Sequence, residues 1–117
     1  MFRTAAFAAL ALSLFAVPAL AQPDGEQLFN QQCGLCHNDE TMGPTLAGLA
    51  DRKVGAGGFD FSPALKAKGE AGATWTDAEL DAFLKSPPAY APGTKMFMAV
   101  PQDENRAAII AYLKTLK

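Results

Sequence analysis

The sequence predicts an all-α domain, and three observations carry that prediction. Three segments place apolar residues at helical spacing. No segment shows the strict alternation of a half-buried strand. The connections between the helices are long and rich in Gly and Pro. Long structureless loops are uncommon inside a compact domain, so these point to loops wrapped around something that is not protein.

The first helix is expected from about Asp24 or Gly25 to Cys33, with Asp24 as its N-cap. Leu28, Phe29 and Gln32 fall on a face shared with Gly25. A second helix begins at Thr76, where Thr76–Asp77–Ala78–Glu79 has the form of a capping box. Leu80, Phe83 and Leu84 give its apolar stripe, and Pro87–Pro88 stops it. The third runs from about Asp103 to Lys117, with Ile109, Tyr112, Leu113 and Leu116 on one face. Lys114 and Lys117 sit where the helix dipole favours cations. Between the first two, Ser62–Pro63–Ala64–Leu65 can open a short helix, because Pro is accepted in a first turn.

The chain of 117 residues allows one domain. Its first 21 residues read as a secretory leader: Arg3 near the start, an apolar run from Ala5 to Val17, then Ala19–Leu20–Ala21 as a cleavage site. The alternative is an uncleaved anchor, but the apolar run is shorter than the ~20 residues a spanning helix needs. Cleavage leaves residues 22–117 as the domain. It removes only Arg3 among charged residues, leaving nine basic against twelve acidic, a net −3. That balance argues against nucleic acid, which requires a concentrated basic face. It suits a soluble protein outside the cytoplasm, with no stable membrane insertion after cleavage.

Cys33 and Cys36 are the only cysteines and His37 the only histidine. In a secreted chain the pair could form a disulfide. A thioredoxin-like reading would need a βαβ context, and a zinc site would need four ligands. Cys33–Gly34–Leu35–Cys36–His37 is instead the C-x-x-C-H signature of covalent haem attachment. Two thiols three positions apart can each reach a vinyl group on one edge of a porphyrin. The next imidazole then falls beneath the ring, where neutral His is a standard iron ligand.

A second axial ligand would close the iron, and Met42, Met96 and Met98 are the candidates. Met42 lies five residues past His37 and has little chain with which to reach the other face. Met96 follows the turn-rich Pro92–Gly93–Thr94–Lys95 and can swing over the ring, with Met98 as the alternative. An open iron would favour peroxide or gas chemistry, but the sequence supplies no distal His or second base.

Taken together these residues resemble class I cytochrome c, the soluble mitochondrial and bacterial type that includes cytochrome c2. The likeness covers nearly the whole of residues 22–117: Gly25 and Phe29, the C-x-x-C-H motif, Gly43–Pro44, Arg52–Lys53, Gly58–Phe59, Trp75, Tyr90, Pro92–Gly93–Thr94–Lys95–Met96 and the Tyr112 helix. The resemblance implies a small cytochrome c fold, with N- and C-terminal helices packed across each other and loops wrapping one haem c. It implies thioethers to Cys33 and Cys36 and axial ligation by His37 and Met96. The Pro44 carbonyl would take the imidazole proton, and Arg52 and Trp75 would serve a haem propionate. The expected activity is one-electron carriage, not enzymatic turnover, by a monomer in the bacterial periplasm. Its partners would be redox proteins such as a cytochrome bc1-type complex, a terminal oxidase, a reductase or a photosynthetic reaction centre. A dedicated subunit of one dehydrogenase or oxidase is the other form of that activity. Lys53, Lys85 and Lys95 would neighbour the haem edge. The chain departs from the family pattern at Phe61 and Phe83, where Tyr is common, at Asp51, where Gly precedes the Arg, around Glu70–Ala73, and at Val100–Pro101.

Overall fold

The computed structural model describes residues 15–16, 23–39 and 42–117. Apart from Phe15 and Ala16, the expected leader and its cleavage site lie outside the described residues. Among the described residues there are six helices: α1 Gly25–Gln32, α2 Gly34–His37, α3 Pro63–Glu70, α4 Asp77–Lys85, α5 Pro87–Tyr90 and α6 Asp103–Leu113. None is long and apolar enough to cross a membrane.

Each helix start uses local chemistry visible in the sequence. The Asp24 carboxylate accepts from the backbone N–H of Glu26 at 3.0 Å and of Gln27 at 3.2 Å, opening α1. Ser62 does the same for α3, its hydroxyl accepting from Leu65 N–H with Pro63 in the first turn. Thr76 accepts from Glu79 N–H at the start of α4. The return arm of that box is diverted, because the Glu79 carboxylate accepts the Tyr90 hydroxyl instead. Pro87–Pro88 follow the end of α4 but also open α5, where Ser86 accepts from Ala89 N–H.

The last helix ends at Leu113 rather than Lys117. Thr115 and Leu116 donate to carbonyls only three residues back, at 2.9 and 3.2 Å, and the Thr115 hydroxyl takes the Tyr112 carbonyl at 2.6 Å. The chain tightens out of the α form there. The buried face of α6 is also rotated from the expected stripe. Arg106, Ile109, Ile110 and Leu113 are buried, while Tyr112 and Leu116 are partly covered.

Helices α1 and α6 cross at Gly25. A Cβ there would stand 2.8 Å from the Ala108 carbonyl carbon and 3.1 Å from Tyr112 Cβ, so only glycine allows this approach. One turn later the Phe29 and Tyr112 rings meet at 5.2 Å between centroids. On the other side α4 packs against α6 and contributes Leu80, Phe83 and Leu84 to the core.

The loops are fixed by a few backbone bonds rather than by a sheet. A single antiparallel bridge joins Lys53 and Thr74 among the described residues. Val54 N–H donates to Ala73 O, Trp75 N–H to Arg52 O, and Asp51 N–H to Trp75 O, at 2.8–3.0 Å. This staple places Arg52 and Trp75 side by side. Its corner is Asp51, with φ of 63° in the left-handed region. Asp tolerates that region better than most residues, so a residue other than glycine can stand at this corner.

Candidate haem-binding site

The turn after α1 builds one wall of a cavity of about 320 Å³. The α1 backbone closes at Cys33, whose N–H donates to Phe29 O at 2.7 Å, and α2 begins immediately. Cys36 and His37 N–H groups both donate to Cys33 O at 3.2 Å, so the motif is wound as one helical turn. Cys33, Cys36 and His37 all line the cavity. The two cysteines are not paired in a disulfide.

His37 is oriented by its partner. Its Nδ1 lies 2.9 Å from the Pro44 carbonyl oxygen. A carbonyl can only accept, so Nδ1 carries the proton, and in the neutral imidazole Nε2 is then the nitrogen that can bind a metal. Gly43 makes room for this. A Cβ there would stand 2.9 Å from both Cε1 and Nδ1 of the ring.

A further part of the cavity wall comes from the segment after α5. Thr94 is buried and its hydroxyl accepts from Met96 N–H at 3.4 Å. Met96 is partly buried against the core and lines the cavity. Met42 and Met98 also reach the cavity, but both are more than half exposed, at 58% and 52%. Between the walls the surface is apolar, including Leu46, Leu65, Trp75 and Leu80. Trp75 is held by Phe83 at 5.2 Å and by Tyr90, stacked at 5.8 Å. The two Phe-for-Tyr positions thus serve packing: Phe83 in this cluster, and Phe61 edge-on to Phe59 at 5.3 Å.

Arg52 gives the clearest polar signal. Its terminal nitrogens donate to Thr45 O at 3.1 Å and Ala47 O at 3.4 Å. Its Nε is buried beside the cavity with no hydrogen-bond partner in the protein. An orphaned buried donor of a cation calls for an anionic acceptor, and a carboxylated ligand fits it. Two thiols, an oriented imidazole, a thioether, apolar walls and an unpaired guanidinium nitrogen together fit haem c.

Of the three expected lysines, Lys95 is the one that lines the cavity. It is engaged by Asp60, donating to its carboxylate at 2.9 Å and to its backbone carbonyl. The Asp60 carboxyl is held below its ordinary range, first by that hydrogen bond, then by the charges of Lys95 and Lys66. Lys53 sits at the bridge and Lys85 ends α4, and neither lines the cavity.

Two features escaped the sequence reading. The Tyr90–Glu79 pair joins residues eleven apart across the break between α4 and α5. Arg106 lies three residues before Ile109 on the apolar face of α6, and a charge at such a register position was a readable signal.

This fold and site define a small helical protein that holds one haem covalently. The chain belongs to the cytochrome c family, whose model, described as cytochrome c, matches residues 23–117. It is 39% identical to cytochrome c of Tetrahymena pyriformis over 85% of this chain and 96% of the relative. It is 38% identical to cytochrome c2 of Rhodomicrobium vannielii over 92% of this chain and 89% of the relative. The solved ferricytochrome c2 of Rhodopseudomonas palustris superposes with a TM-score of 0.72 at 36% identity, covering 80% of this chain and 96% of that one. The all-α expectation and the cytochrome c fold hold. Members of the family bind one covalently attached haem c through a C-x-x-C-H motif, and this chain carries that motif at residues 33–37. They are electron carriers, not enzymes.

Proposed function

We propose that this protein is a soluble periplasmic one-electron carrier whose iron is closed on both faces. Cys33 and Cys36 hold the haem through thioethers, and His37 and Met96 are the axial ligands. Pro44 fixes the imidazole, while Arg52 and Trp75 serve a propionate. The observation that carries this reading is the placement of His37 and Met96 in one apolar cavity, each steadied by a backbone-linked partner. The haem supplies the Fe(II)/Fe(III) couple. The chain's own residues keep water from the iron, hold the imidazole proton at Nδ1, and present a thioether whose softness favours the reduced metal.

Residues 1–21 act as a leader, so the exported protein starts at Gln22, which an intact mass reads. Docking is brief, as redox encounters are. The exposed side chains of Leu35, Phe97 and Met98 at the cavity mouth supply apolar contact. The partners are of the kind a bacterial chain offers: a cytochrome bc1-type complex as donor, and a terminal oxidase, reductase or photosynthetic reaction centre as acceptor. The test is carbon monoxide added to the ferrous protein at neutral pH. A closed iron leaves the Soret band unmoved. A shift at once to a CO-bound spectrum would mean that the sixth position is open and the carrier reading wrong.

A further inference from the structure

Arg106 is a charge almost wholly inside the protein, 3% exposed, on the core-facing side of α6. All of its guanidinium nitrogens are used. Nε donates to Asp81 of α4 at 2.8 Å, and Nη2 pairs with Asp103 in the first turn of α6. Nη1 donates to two successive carbonyls, Val100 at 3.0 Å and Pro101 at 2.9 Å.

Those two carbonyls close the strap that carries Met96. The near end of the strap is Ala91, fully buried, with its N–H on Pro87 O. Thr94 N–H then donates to Ala91 O, and Thr94 in turn accepts from Met96 N–H. Beyond Met96, Phe97, Met98 and Ala99 are exposed. The next fixed point is Val100, 1% exposed, its N–H on Leu84 O at 2.8 Å and its carbonyl on Arg106. Only three residues separate Met96 from that post. A charged donor shared by the buried Val100 carbonyl and its part-buried neighbour at Pro101 is a strong anchor, and removing it leaves the buried Val100 carbonyl without its partner.

We infer that Arg106 is a positioning residue for the axial methionine: it locks the far end of the 91–100 strap and so sets how readily Met96 leaves the iron. This rests on Met96 being the ligand. A post that holds the strap in the closed form raises the free energy of every state in which Met96 is displaced. A ligand that competes with Met96 therefore meets less resistance once the post is gone.

The test is imidazole titration of the ferric haem-loaded protein, with the long-wavelength sulfur-to-iron band recorded in parallel. Wild type and Met96→Ala are measured first. Arg106→Gln should bind imidazole at least tenfold more tightly than wild type, about 1.4 kcal/mol, with a weakened band before any is added. Arg106→Lys should fall between, because a single nitrogen cannot reach all the acceptors that three separate guanidinium nitrogens serve. If Arg106→Gln fails to load haem, Arg106→Lys decides alone. Ile110→Val, which trims the same helix without touching the strap, should lower the urea midpoint and leave imidazole affinity within twofold. Arg106 variants that lose stability but keep wild-type affinity and band would overturn the inference and leave Arg106 a structural anchor only. A band absent from wild type, or unchanged in Met96→Ala, would overturn the Met96 assignment and the inference with it.

Discussion

Gly43→Ala should damage this protein, although alanine suits the backbone there. Gly43 is not among the residues at positive φ, so the conformation itself is open to alanine. The obstacle is the imidazole. The new methyl would lie 2.9 Å from Cε1 and Nδ1 of His37 and 3.1 Å from Cys36 O, where ordinary contact begins at 3.4 Å. The ring must move about 0.5 Å, and the 2.9 Å bond from the crowded Nδ1 to Pro44 O resists that movement. Overpacking of this kind costs about 1–3 kcal/mol, and loss of the hydrogen bond adds about 1 kcal/mol. A total of about 2–4 kcal/mol lowers Tm by at least roughly 10 °C in a domain of this size. Gly58 is the matched control, since its φ is not positive and nothing lies within 4 Å of its Cβ position. Gly58→Ala should be neutral or stabilising by up to about 1 kcal/mol through the unfolded chain. Calorimetry of the two haem-loaded variants reads the difference. Equal Tm values for Gly43→Ala and wild type would refute the claim that Pro44 holds His37 close against Gly43.

Arg52→Leu removes the cation whose Nε is buried without a protein partner, so ferric iron should be favoured and the reduction potential should fall by a few tens of millivolts, 59 mV being tenfold for one electron; cyclic voltammetry checks this, and an unchanged potential would mean that the guanidinium faces no haem carboxylate. Tyr90 gives a pH dependence. Burial first, then its hydrogen bond to Glu79 and that carboxylate's charge, hold the Tyr90 phenol above its usual range. The folded state therefore keeps the proton longer than the unfolded state. The stability this contributes is whole below about pH 10 and is lost as pH rises beyond it, by up to about 1.4 kcal/mol per unit. In urea melts at pH 8 and pH 11, the gap between wild type and Tyr90→Phe should shrink at the higher pH, and a constant gap would count against the pairing.

Much of the site was legible because its chemistry is local. The C-x-x-C-H run fixes three groups within one helical turn, and Asp24, Ser62 and Thr76 announce helix starts through side chains that cap within three residues. What the sequence hid is non-local. Nothing near Glu79 says that Tyr90 will take its carboxylate. The end of α6 was misplaced because Thr115 competes for the Tyr112 carbonyl, a choice that periodicity does not record. Arg106 was overlooked because arginine on a helix is ordinarily read as surface, although its register with Ile109 was there to be read. Lys53 and Lys85 were grouped with Lys95 by the family likeness, and of the three only Lys95 is among the residues that line the cavity.

The central claim is that His37 and Met96 together close one haem iron. The most direct measurement is the optical spectrum of the ferric protein at neutral pH, read at the weak long-wavelength sulfur-to-iron band in wild type, Met96→Ala and Met98→Ala. The account predicts the band in wild type and Met98→Ala and its loss in Met96→Ala. A band lost in Met98→Ala and kept in Met96→Ala, or missing from wild type, would contradict it.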